Sequence, residues 1–323
     1  MHPADEPRLP TALVTHAACL EHLTGGRHPE SVRRLKAVLS RLDRADFGAR
    51  LLRMDAVPAP RAALELVHAP VYLDALQAQC ASGHFFRADE DTIASPGTWN
   101  AARHAAGAVL TAIDAVLAGR AANAFCAVRP PGHHAGRAAA RGFCFLNNVA
   151  IGAEYARAVH GLTRVAIVDW DVHHGDGTQA IFWDDPGVLF FSTHQMPLFP
   201  GSGRRSERGG DAALGSTINA PLAAGATDTD LLQALQGELA PALARFQPQL
   251  ILISAGFDGH VGESIAQWAI STEGYGRITR ATLELARAHA GGRAVSVLEG
   301  GYAPEGLADC VEAHLTALLN AAT

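Results

Sequence analysis

The sequence predicts an α/β protein with a single central, mostly parallel sheet and helices on both faces. Three observations carry this. Short, continuously apolar runs rich in branched residues recur along the chain. Helical stretches, amphipathic or rich in alanine, lie between them. Each apolar run then breaks abruptly into glycine, proline, histidine or aspartate. Apolarity without alternation is what a strand buried on both faces shows, and strands alternating with helices imply a parallel layer.

The elements follow in order. In "SVRRLKAVLSRLDRA", Val32, Leu35, Val38, Leu39 and Leu42 recur with helical spacing. "TWNAARHAAGAVLTAIDAVLAG" reads as a long, buried helix ending at Gly119. The strand "AFCAV" (124–128) comes next and runs into "RPPGHHAG". "LNNVAIGAEYARAV" is helical, and "VAIVDW" (165–170) leads to "DVHHGDG". "VLFFS" (188–192) leads to "THQMPLFPGSG", and "TDLLQALQGELAPALARF" returns as helix. "LILISAG" (250–256) leads to "FDGH", and "AVSVLEG" (294–300) leads to "GY". Open α/β sheets bind ligands at the carboxyl ends of their strands. Polar clusters after every predicted strand therefore point to one shared site, since ordinary turns would be polar at both strand ends.

The 323 residues are read as one catalytic domain over 1–323. With 48% hydrophobic and 18% charged residues the chain can bury a large core. A formal charge of −6 argues against a nucleic-acid partner. Positive charge is almost all arginine, Lys36 being the one lysine. Cys19, Cys80, Cys126, Cys144 and Cys310 are widely spaced and form no CxxC pair, which fits reduced thiols in the cytoplasm. "MHPADEPRLP" lacks the apolar segment of a signal peptide, and no apolar run nears the ~20 residues of a membrane helix. The expectation is a cytoplasmic protein with no membrane partner; an oligomer is compatible with the composition.

The chemistry concentrates in "DWDVHHGDG". Residues two apart in an extended segment point the same way, so Asp169, Asp171 and His173 share a side and His174 points away. Carboxylate oxygen with imidazole nitrogen suits Zn²⁺ or a similar divalent ion, Fe²⁺ and Co²⁺ included. A third protein ligand is needed, and Asp258 at another strand end is the best candidate. Three protein ligands leave a position open for water, the catalytic arrangement. In "PPGHHAG", His133 and His134 offer an acid and a base near neutrality. Imidazoles in such sites are commonly oriented by carboxylates, and Asp169 and Asp176 are unassigned. In "LEGGY" the glycines permit close backbone approach, and Tyr302 can donate to a developing oxyanion.

Together these segments resemble the zinc-dependent histone deacetylase superfamily, in its class II-like bacterial form that includes acetylpolyamine amidohydrolases. The resemblance rests on "HPE" (28–30), "RPPGHHA" (129–135), "GFCFLNNVAIGA" (142–153), "VDWDVHHGDGTQ" (168–179), "STHQ" with "FPGSG" (192–203), "SAGFD" (254–258) and "LEGGY" (298–302). It implies the arginase–deacetylase fold. It implies Asp171, His173 and Asp258 as zinc ligands, with Asp169 and Asp176 behind the tandem histidines and Tyr302 polarising the substrate carbonyl. It implies Phe143 and Phe199 as aromatic walls of an acyl-lysine tunnel, Gly142 as a lining residue and Asp91 as an acidic rim residue. A structural potassium ion near Asp171 and Ser192 is implied as well.

The expected reaction is zinc-assisted removal of acyl groups, acetyl above all, from acyl-lysine side chains. The alternative substrate is a small acylated amine such as an acetylpolyamine. Some polyamine-cleaving relatives carry an acidic gatekeeper shortly after the third metal ligand. Here Ile265 falls at that place, with Glu263 two residues away as the slipped alternative. A non-catalytic binding module would have lost a ligand, histidine or tyrosine, and none is lost. A binuclear arginase-type site would need a D-A-H-x-D segment, which is absent.

Overall fold

The computed structural model describes residues 9–322; residues 1–8, within the stretch read for a leader, lie outside it. Eight parallel strands form the central sheet. They are β1 (Thr11–Thr15), β2 (Leu51–Asp55), β5 (Asn123–Cys126), β6 (Val165–Asp169), β7 (Val188–Gln195), β8 (Thr217–Leu222), β9 (Leu250–Ala255) and β10 (Ala294–Leu298). Their order across the sheet is β2-β1-β5-β10-β9-β6-β7-β8. A two-residue pair, β3 (Phe86–Arg87) and β4 (Ile93–Ala94), is antiparallel and separate.

The helices are α1 (Val32–Arg44), α2 (Arg61–Leu64), α3 (Pro70–Ala81), α4 (Thr98–Leu117), α5 (Asn148–His160), α6 (Asp176–Ile181), α7 (Asp228–Ala234), α8 (Ala240–Phe246), α9 (Thr272–His289) and α10 (Pro304–Ala321). Alternation along the strands shows how they divide. Phe125 of β5 and Ser296 of β10 are register partners, and both meet His314 of α10. Val295 is paired with Ala124 and Leu252 and faces the opposite way. On that side Gly152 of α5 lies against Val109 of α4 and Leu252. One layer is thus α4 with α5; the other holds α1, α9 and α10. The core fills both interfaces.

Gly119 adopts a left-handed φ of 67° just past α4, as the predicted stop requires. The helix expected over 229–246 is divided by a π-turn at Leu235–Leu239. Pro241 follows, and its missing N–H removes one rung of the regular ladder. Strands β1, β2 and β8 are not among the runs expected from the sequence. Both β2 and β8 are edge strands, only partly buried, and so lack continuous apolarity.

Candidate active site

The five polar segments named above meet at the carboxyl edge of β5, β6, β7, β9 and β10. Strand β6 ends at Asp169, and the chain bends through 171–173. That bend separates the carboxylates that an extended segment would align. Asp169 Oδ2 turns to His133 Nδ1 at 2.9 Å, while Asp171 turns to His173.

Asp171, His173 and Asp258 form a group whose ligand atoms all lie within 4.8 Å of one another. His173 Nδ1 lies 3.0 Å from Asp171 Oδ1 and 3.0 Å from Asp258 Oδ2. All three side chains are buried. The backbone fixes their rotamers: Gly300 N–H donates to Asp171 Oδ2 at 2.8 Å, and Val172 N–H donates to Asp258 Oδ1 at 3.0 Å. Gly300 allows this approach because a Cβ there would collide with both carboxylates. Two carboxylates and one imidazole converging on a buried point fit a divalent cation with oxygen and nitrogen ligands.

The tandem histidines stand beside this group. His134 Nδ1 meets Asp176 Oδ1 at 2.7 Å, and Arg141 donates to the other Asp176 oxygen at 2.6 Å. Burial pushes the His133 imidazole down, but the carboxylates of Asp169 and Asp171 overcome it and hold His133 well above its usual range. Burial and the neighbouring His133 cation lower His134 to about 4, against the pull of Asp176. The two shifts run in opposite directions, His133 toward its protonated form and His134 toward its neutral form.

Tyr302 stands at the same end. Its ring lies 4.7 Å under the Arg34 guanidinium and 5.7 Å from the Phe143 ring. Burial raises its phenol well above the usual range, although Arg34 opposes the shift, so the hydroxyl remains a proton donor. A cavity of about 210 Å³ leads from the surface to these groups. Asp91, Gly142, Phe143, Phe199 and Ile265 line it, with His134, His173 and Tyr302 also in its wall. Ile265 faces this cavity, whereas Glu263 accepts from the backbone amides of Tyr302 at 2.6 Å and Ala303 at 2.8 Å. Of the two gatekeeper candidates, Ile265 is the one that lines the cavity.

Several residues at the site had no role from sequence, and Glu263 had only that of the slipped gatekeeper. Leu198 adds to the cavity wall. Glu263 braces Tyr302, and Glu299 accepts from the Gly132 and His133 amides at 2.7 and 3.3 Å. Beneath them lies a buried charge cluster. Glu30 pairs with Arg34 at 2.9 Å and with Arg129 through two bonds of 2.5 and 2.6 Å. Arg34 in turn donates to the carbonyls of Glu299 and Gly301, fixing the turn before Tyr302. Glu30, Arg129 and Glu299 sit inside the motif segments, so an ionisable residue next to an apolar strand or rigid turn was the available signal. Arg34 gave only its four-residue spacing from Glu30. His174, pointing away from the metal group, contacts Ser202 and Gln179.

Comparison with known proteins agrees with this geometry. The family model described as the histone deacetylase domain matches residues 28–318. The chain is 39% identical over 298 residues to a protein of Archaeoglobus fulgidus named probable deacetylase, covering 92% of this chain and 82% of that one. It is 42% identical over 275 residues to the histone deacetylase-like amidohydrolase of Pseudomonas aeruginosa, covering 85% and 71%. It is 41% identical over 297 residues to the human polyamine deacetylase HDAC10, covering 87% of this chain and 43% of that protein. The crystal structure of the HDA15 HD domain superposes with a TM-score of 0.91 at 34% identity, covering 96% of this chain and 90% of that one. The chain belongs to the histone deacetylase family, as an amide-bond hydrolase with the arginase–deacetylase fold.

Proposed function

We propose that the protein is a zinc-dependent deacylase that releases acetyl and related acyl groups from the side-chain amine of acyl-lysine. The cavity carries this reading. Its walls include Phe143, Phe199, Leu198 and Ile265, which suit an aliphatic stem, and it leads to the metal group, His134 and Tyr302. Asp91 at the cavity would accept from substrate backbone amides.

Asp171, His173 and Asp258 would hold the ion, which supplies Lewis acidity toward the amide oxygen and an attacking water. His134, held neutral, takes a proton from that water and delivers it to the leaving amine. Asp176 orients its imidazole. His133 stays cationic, paired with Asp169, and favours the anionic transition state. The Tyr302 hydroxyl donates to the oxyanion as the carbon–oxygen bond forms. The carbon–nitrogen bond then breaks, giving a carboxylate and a free amine. A potassium ion near Asp171 and Ser192 belongs to the same reading as a structural element.

A second reading, deacetylation of small acylated amines, is favoured by the likeness to a protein named polyamine deacetylase. Ile265 argues against it, since an apolar side chain offers nothing to a second ammonium group. Turnover of an acetyl-lysine peptide and of acetylputrescine by the zinc-loaded protein decides between them. A higher kcat/KM on the peptide supports the first reading; a higher value on acetylputrescine overturns it.

A further inference from the structure

His174 is the conspicuous residue of "DVHHGDG" that the chemistry leaves unused. It is 1% exposed, and its two ring nitrogens are both engaged. Nδ1 lies 2.8 Å from Ser202 Oγ, and Nε2 lies 3.0 Å from Gln179 Oε1. Gln179 Nε2 donates to Glu207 Oε2 at 2.7 Å, and Asn219 Nδ2 donates to Gln179 Oε1 at 2.7 Å. Glu207 also accepts from the Gly203 and Arg204 amides, at 3.0 Å each.

The direction of every bond in this chain follows from its acidic end. A carboxylate only accepts, so the Gln179 amide must present its nitrogen to Glu207 and its oxygen to His174. The oxygen accepts, so His174 carries its proton on Nε2. Nδ1 is then a bare acceptor, and the Ser202 hydroxyl donates to it. A second histidine closes the far end: His194 Nε2 faces the Gly203 carbonyl at 2.8 Å, and the His174 and His194 rings lie 4.7 Å apart.

What these bonds hold is the loop 196–203. Its first end is tied by Gln195 N–H to the Val172 carbonyl at 2.8 Å and by Met196 N–H to the Leu222 carbonyl at 2.9 Å. Its second end is tied at Ser202 and Gly203 by the relay just described. Between them lie Leu198 and Phe199, two walls of the cavity. Phe199 is 40% exposed; its ring meets those of His134 at 5.1 Å and His173 at 6.3 Å and lies 5.0 Å from the Arg141 guanidinium, while its backbone is placed by the loop's two anchors.

We infer that His174 and Glu207 are positioning residues for substrate recognition: the relay Glu207–Gln179–His174–Ser202 holds the Phe199 wall in register with the metal-ligating bend. The inference rests on the reading of the cavity as the acyl-amine site. His173 faces inward to the metal group while its neighbour His174 faces outward to the wall, so one bend sets the relative placement of both.

The test compares wild type with His174→Ala, Glu207→Gln, Phe199→Ala and the double variant His174→Ala/Phe199→Ala, all zinc-loaded. In Glu207→Gln an amide nitrogen replaces one acceptor: at the Oε1 place it meets the Arg204 N–H, and at the Oε2 place it meets the Gly203 N–H and the Gln179 amide, so at least one tie at the loop's second end is lost without a large change in volume. His174→Ala and Glu207→Gln are each expected to raise KM about tenfold, the size of one lost hydrogen bond with its partner left unsatisfied. Turnover number and metal content should stay within about twofold of wild type. The double variant should add nothing to the KM of Phe199→Ala, because His174 acts through that wall. Independently of activity, amide hydrogen exchange in a peptide covering 196–203 should rise in both relay variants. Unchanged exchange and KM overturn the inference, as does a loss of zinc in step with turnover number, which would place His174 in support of His173. If wild type hydrolyses no acylated amine the functional reading fails, and the exchange measurement still decides whether the relay holds the loop.

Discussion

Tyr302→Phe removes one hydroxyl from a ring that the fold grips by other means. The Arg34 guanidinium covers the ring face at 4.7 Å, the Phe143 ring meets it at 5.7 Å, and Glu263 holds the backbone amide at 2.6 Å. Phenylalanine keeps each of these contacts, so the side chain stays in place and the metal group is untouched. The loss is then that of one donor to the oxyanion in a buried, water-poor site. Such a donor is worth about 2.7–4 kcal/mol of transition-state stabilisation, or about 10²–10³ in kcat. The bond is made only as charge develops on the oxygen, so kcat and kcat/KM should fall together with KM little changed. Steady-state kinetics on an acetyl-lysine peptide, with zinc content measured on the same sample, gives the result. A kcat within about threefold of wild type at full zinc content would refute the oxyanion role. Glu263→Ala is the companion measurement: it frees the Tyr302 and Ala303 amides and should lower kcat by about tenfold by loosening the hydroxyl's aim.

The other expectations come from groups around the site. Asp258→Asn should abolish stoichiometric zinc retention on dialysis, followed by metal analysis, with the far-ultraviolet circular dichroism unchanged. Gly300→Ala places a methyl against both metal carboxylates, so it too should lose zinc; full retention with wild-type activity would count against the close packing described. Glu30→Ala leaves Arg34 and Arg129 as buried cations without their carboxylate and should cost about 3–5 kcal/mol in chemical denaturation. His314 gives a pH dependence. Burial holds its imidazole at about 3, between Ser296 and Thr279. The unfolded chain takes up this proton at about 6.5, so stability is unaffected above that value and falls as pH drops toward 3. At pH 5 the loss is about 2 kcal/mol, and His314→Gln should lack this part of the acid slope in urea titrations.

Much of the fold was legible because a central parallel strand has no polar face. Strands β5, β6, β7, β9 and β10 are buried throughout and mostly apolar, although β7 runs on past the expected 188–192 through the buried Thr193, His194 and Gln195. The edges had no such signature: "LLRMD" and "TINAPL" mix polar residues and a proline into partly exposed strands. The site was legible where chemistry crowds ionisable residues into one short loop, as in "GHH" and "DVHHGDG". Arg34 was not, because its helix is fully explained by the apolar stripe of Leu35, Val38 and Leu42. Its partners at Glu299 and Gly301 lie more than 260 residues away in sequence, and only the folded sheet brings them to it.

The distribution of charge explains why these groups form one unit. Asp169, Asp171, Asp258 and Glu299 are all fully buried within the same strand-end layer. Burial alone would drive carboxyls upward, and it does raise Asp169 to about 6 and Glu299 to about 7. The neighbouring charge cluster relieves them only in part: Glu30 takes up one of the two charges of Arg34 and Arg129, and the remaining positive charge acts on Asp258 through Arg34. The His133 cation balances one carboxylate of the layer, through Asp169. Asp171 and Asp258 share the single imidazole of His173 between them, and a divalent cation held there would offset both carboxylate charges at one point. The two histidines differ in what surrounds them. Asp169 and Asp171 outweigh burial at His133 and raise it, whereas at His134 burial and repulsion by His133 outweigh Asp176 and lower it. The opposite shifts of two adjacent histidines thus follow from the two carboxylates at His133 and from burial beside that cation at His134.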